Sequence, residues 1–144
     1  MSVNRMAAVT ASVLVAAVIA VGLMLGGSPA EQRRLRFDER RVDDLRVIAR
    51  AVRVHWNRFG SLPGSLSILA DGQNLDRVPV DPSSRQAYAY AVTGETGYRL
   101  CADFAKRSVN PPPQEFWVHG AGHHCFEFEL GEGSGAERLK NPEV

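Results

Sequence analysis

The sequence is short of most of the features that announce an enzyme. Only two cysteines, Cys101 and Cys125, occur in 144 residues, and no Cys-x-x-Cys pair is present, so thioredoxin-like redox chemistry and c-type haem attachment have no support. No Gly-x-Ser-x-Gly elbow occurs, and the Gly-Glu-Gly-Ser-Gly of residues 131–135 has the composition of a linker. Neither phosphate-cradling pattern, Gly-x-x-x-x-Gly-Lys-Ser/Thr or Gly-x-Gly-x-x-Gly, is found. The acids Asp71, Asp76 and Asp81 lack EF-hand spacing. A formal charge of +1 removes the global electrostatic case for nucleic-acid binding. These absences predict a chain that is not an enzyme, with no cofactor and no nucleic-acid partner.

Charge and proline are also missing from Met6 to Leu25, a stretch diluted only by Thr10, Ser12 and Gly22. As a helix these residues span about 30 Å, the thickness of a bilayer's hydrocarbon core. A core helix of a soluble protein would need burial on every face, which so short a chain cannot supply. A cleaved signal peptide is the rival reading: Arg5 provides a basic start, and Ser28-Pro29-Ala30 offers small residues for a peptidase. The apolar run is longer than the usual signal core, which favours an uncleaved transmembrane anchor at 6–25 behind a cytoplasmic segment 1–5.

After Gly26-Gly27, Ser28 is placed to cap a new helix, with Pro29 in its first turn and Glu31 completing a capping box. Residues 26–30 are therefore expected to act as a hinge. Between Ala30 and Arg58 there is no Gly or Pro, and Leu35, Val42, Ala49 and Trp56 recur every seven residues beside Leu45, Val52 and Phe59. Asp38 interrupts that second row and Ala49 is small, so the stripe is expected to pack on its own domain; a protein partner or homo-oligomer through the 35–59 helix is the alternative.

Charge is segregated along the chain. From Glu31 to Phe59 nine arginines face five acids, whereas from Gly60 onward seven basic residues face eleven acids. Arg33, Arg34, Arg36, Arg40 and Arg41 follow the anchor closely and are candidates to hold anionic lipid head groups, at up to about 1 kcal/mol each; a solvated helix face is the plainer alternative. The same arginines place the domain in the cytoplasm by the positive-inside rule. The basic start and the paired cysteines point the other way, and the expected localisation is a single-pass bacterial inner-membrane protein with its domain extracytoplasmic.

The remainder reads as a small α+β domain. Leu62, Leu66 and Leu69 suggest a short helical turn, Val78 to Ser84 an extended stretch entering a turn, and Ala87–Val92 and Tyr98–Phe104 a β-hairpin. Phe116–Val118 and Cys125–Leu130 are expected to add strand, and 131–144 to be a disordered tail. Cys101 and Cys125 then lie in neighbouring strands, and behind an export signal they are expected to pair, for roughly 3 to 4 kcal/mol by loop entropy. His119, His123 and His124 beside Cys125 form a low-priority metal alternative, since Gly120 and Gly122 disfavour the helix that would align 119 with 123.

Asp43-Asp44-Leu45 on a helix ending near Trp56, Leu62-Pro63 with Leu66 and Leu69, Asp81-Pro82 with Tyr88 and Tyr90, Leu100-Cys101-Ala102 and the Trp117–Phe126 stretch together form a layout. That layout resembles type IV pilins and type II secretion pseudopilins, and more closely small bacterial membrane proteins with a pseudopilin-like domain. The resemblance covers residues 31–130 and implies a long helix packed on a small antiparallel sheet, with Asp81, Pro82 and Tyr88 forming the structural turn that begins the sheet. It implies a structural or interaction role. Pilins are processed after a Gly that precedes the apolar run and carry a Glu within it; here the Gly pair follows a run that contains no Glu, so processing is not expected.

Overall fold

The computed structural model describes residues 3–26, 28–108, 116–131 and 138–140. The chain divides into two compact units, 1–34 and 35–144, which are taken separately.

The first unit is dominated by helix α1, Val3–Gly26. Its apolar side chains are exposed around the whole circumference, Val9, Leu14, Val18, Ile19 and Leu23 among them, so it has no buried face that marks a core helix. By length and composition it is apolar enough to cross a membrane. Its hydroxyls are satisfied within the helix: Thr10 Oγ1 donates to the carbonyls of Met6 and Ala7, at 3.1 and 3.0 Å, and Ser12 Oγ to Ala8 at 3.0 Å.

A second helix, α2, runs Pro29–Phe59. Ser28 caps it as its sequence position suggests, its Oγ and its carbonyl each accepting from the Glu31 N–H, at 3.2 and 2.9 Å. At the far end Gly60, at φ 67°, donates its N–H to Trp56 O at 2.8 Å, the left-handed closure that a β-carbon would strain.

In the second unit α2 buries Val42, Leu45, Ile48, Ala49, Ala51 and Val52. The short 3₁₀ turn Leu66–Leu69 adds Leu66 and Leu69 to the same core. Four antiparallel strands follow in a meander, β1 (Ala89–Val92), β2 (Gly97–Phe104), β3 (Gly122–Glu129) and β4 (Arg138–Lys140), in spatial order β1-β2-β3-β4. Alternation sorts the two central strands cleanly. Tyr98, Leu100, Ala102 and Phe104 of β2, with Phe126 and Phe128 of β3, join the α2 stripe in one cluster. Arg99 and Asp103, with His123 and Glu127, are exposed on the opposite face.

Three expectations about strands need correction. Phe116 and Trp117 form a turn and not a strand, because both rings cover Phe126 and Phe128 with centroids 4.9 to 5.7 Å apart; adjacent strand residues would point to opposite faces. Strand β3 begins at Gly122, ahead of the expected Cys125, which carries His123 and His124 into the sheet. Within the tail expected to be disordered, residues 138–140 pair with β3 through Glu127↔Lys140 and Glu129↔Arg138, giving the outer edge of β3 a backbone partner. The other residues of 132–144 lie outside the described residues.

Candidate functional site

Register makes the chemistry of the sheet's outer face. Strands β2 and β3 pair with Cys101 opposite Cys125, so Asp103 necessarily falls opposite His123, and Arg99 opposite Glu127. The two cysteines form the expected disulfide, with Cα atoms 4.0 Å apart. His123 leans over it: Nε2 lies 3.5 Å from Cys125 Sγ, while Nδ1 meets Asp103 Oδ1 at 3.0 Å. A carboxylate oxygen accepts, so Nδ1–H donates to Asp103, and Nε2 is the ring nitrogen that faces sulfur. A groove of about 310 Å³ adjoins this cluster, lined by Cys101, Asp103 and His123 on one side and by Asp81, Ser84 and Gln86 on the other.

The three histidines are not brought together. His123 faces outward, and His124, its neighbour on the same strand, packs edge-on against Phe126 with centroids 4.8 Å apart. His119 is buried and stacked on Phe104 at 3.6 Å, with Nδ1 on Gly120 O at 3.1 Å. Burial lowers the pKa of both His119 and His124, so both favour the neutral form. The three histidines therefore do not converge on one metal position. Among the described residues, the one group of potential ligand side chains is Cys101, His123 and Cys125, whose ligand atoms lie within 4.8 Å of one another, and the disulfide that joins its two sulfurs argues against metal binding in this state.

The arginines also separate. Arg33, Arg34, Arg36 and Arg40 are exposed, as head-group contacts require. Arg41 is not: it is buried between two carboxylates, Nη1 donating to Asp38 at 2.7 Å and Nε to Asp81 Oδ2 at 2.5 Å. Removing it from water without those partners would be prohibitive, so it is structural and no lipid ligand. Asp38 also accepts the N–H groups of Ala105 and Lys106, at 2.9 and 2.8 Å, which fastens α2 to the end of β2.

Asp81 organises the turn that leads to Tyr88 and β1. Asp81 Oδ1 accepts from the N–H of Ser83 and of Ser84, each at 2.8 Å, and Arg85 closes the turn at φ 61°. Burial alone would raise the Asp81 carboxyl, but the Arg41 guanidinium and the Ser84 and Ser83 N–H donors outweigh it and hold the pKa at about 2. Tyr88 donates its hydroxyl to Asp44 Oδ2 at 2.8 Å, and the buried phenol is pushed well above its usual range. Val80 and Ala87 form an isolated bridge at the mouth of this turn, and β1 proper starts at Ala89.

Two participants escaped the sequence reading. Asp38 looked like a flaw in the apolar stripe, and nothing local marked it as the anchor of Arg41. Asp103 was readable in principle: once Cys101 is set opposite Cys125 in antiparallel strands, simple counting puts 103 against 123. No family model matches the chain, and neither does any curated protein or solved structure.

Proposed function

We propose that the chain is a single-pass, membrane-anchored protein that holds a pilin-like α+β domain on the extracytoplasmic side, in a noncatalytic structural or protein-interaction role. The observation that carries this reading is the pairing of two incompatible solvents within one chain. Helix α1 exposes apolar side chains all around, whereas the second unit has its own core and a disulfide across β2 and β3. A disulfide suits an oxidising compartment, and an amphipathic helix followed by an antiparallel meander suits a pilin-like plan. Exposed Arg33, Arg34, Arg36 and Arg40 suit contact with anionic lipid beside the anchor.

The reading is tested by fusing a topology reporter after Leu130 and fractionating the cells. Activity outside the cytoplasm, with full-length protein retained in carbonate-washed membranes, is the expected result. Reporter activity in the cytoplasm would restore the arginine-based orientation and overturn the localisation. A soluble product beginning near Glu31 would make α1 a signal peptide.

A further inference from the structure

The disulfide, His123 and Asp103 make a ligand set that the oxidised bond keeps closed. We propose that, once a dithiol reductant opens the Cys101–Cys125 disulfide, the two cysteine sulfurs and His123 Nε2 bind one Zn²⁺ on the outer face of the sheet, with Asp103 orienting the imidazole from behind.

The geometry argues this directly. Tetrahedral zinc with Zn–S near 2.3 Å and Zn–N near 2.0 Å sets N···S at about 3.5 Å and S···S at about 3.8 Å. The distance from His123 Nε2 to Cys125 Sγ already has the first value, 3.5 Å. Cutting the S–S bond lets side-chain rotation separate the sulfurs, while the β2–β3 register keeps both cysteines opposite each other. Asp103 takes the Nδ1 side of the ring at 3.0 Å, which leaves Nε2 as the nitrogen that faces the sulfurs. That carboxylate–imidazole arrangement is the usual outer support of a zinc-bound histidine. The adjoining groove of about 310 Å³ leaves room for water as the fourth ligand.

The reaction balances in two steps. The dithiol delivers two electrons and two protons to the disulfide and becomes a disulfide itself, leaving Cys101 and Cys125 as thiols. Zn²⁺ then displaces the two thiol protons, and any proton on Nε2, to water and binds the imidazole through the Nε2 lone pair. Closed, the domain is stapled by sulfur; open, the same two strands are joined by metal. The proposal is independent of which side of the membrane the domain occupies, so the reporter experiment and this one fail separately.

The test uses full-length protein in detergent micelles, reduced with a phosphine, freed of reductant without air, and titrated with Zn²⁺ against a chromophoric chelator. One zinc per reduced chain and none per oxidised chain is expected, together with a higher unfolding temperature of the reduced chain when zinc is present. His123→Ala, at an exposed position whose oxidised form should fold normally, is expected to weaken zinc binding at least tenfold, and Asp103→Asn about tenfold. Cobalt in place of zinc should give thiolate charge-transfer absorption only after reduction. If the reduced chain takes up no zinc, or if His123→Ala binds it as tightly as the parent, the proposal is overturned. Should reduction alone unfold the domain, zinc must restore the circular dichroism of the oxidised form, and failure to do so also overturns it.

Discussion

Helices α1 and α2 are both continuous and both rich in small and branched apolar residues, yet they answer to different solvents. In α1 the apolar residues occupy every direction and stay exposed: Leu14 is 67% and Val18 71% accessible. In α2 most of them gather in one stripe, where Leu45, Ile48 and Val52 are fully buried, while Val47 and Val54 stay exposed among charged residues. The difference teaches that apolar content alone does not place a helix; its angular distribution does.

The sharpest way to break this contrast is at the polar end of the α2 stripe. Asp38 accepts three hydrogen bonds from Arg41, Ala105 and Lys106 using both carboxylate oxygens. Asp38→Asn turns one acceptor into a donor facing another donor, and should lower the unfolding free energy by about 3 kcal/mol in denaturant titration. The same titration compares equal truncations in the two helices. Leu45→Ala should cost about 3 kcal/mol through a cavity, whereas Leu14→Ala should leave the unfolding of the α+β domain unchanged within about 0.5 kcal/mol. Equal effects would mean that α1 belongs to the core.

The pH dependence adds a finer test of the second unit. Asp81, held at about 2 by Arg41 and the turn N–H groups, contributes stability that is present above its unfolded pKa near 4 and is lost as pH falls toward 2. His119 and His124, with pKa values lowered by burial, contribute stability above about pH 6.5 that is lost as pH falls below it. Asp44, raised by burial, opposes part of the acid limb. Thermal unfolding should therefore be flat between about pH 7 and 9, decline below about 6.5, and decline again below 4. Among the substitutions in the second unit the smallest expected effect is Tyr88→Phe, which removes one hydrogen bond to Asp44 and should cost about 1 kcal/mol.

Much of this organisation was legible from residue order. The α1 run, the Ser28 cap, the β1–β2 hairpin and the Cys101–Cys125 pair follow from periodicity, capping chemistry and turn residues, which act over a few positions. The clamp was not legible, since Asp38, Arg41 and Asp81 meet only after α2 packs on the sheet, and a buried arginine has the same letter as an exposed one. The burial of His119 was not legible for the same reason: its partner Phe104 lies on β2, distant in sequence. Phe116 and Trp117 misled because strand propensity describes each residue singly, while here both rings cover the same edge of the core.

We propose that one chain joins a lipid-facing helix to a disulfide-closed domain. The most direct measurement is a thiol-labelling gel shift on membranes from acid-quenched cells, using a polyethylene glycol maleimide before and after reduction. The expected result is full-length protein in the membrane pellet that takes up no label until reduced and then gains two. Protein in the soluble fraction, or two labels added without reductant, would contradict it.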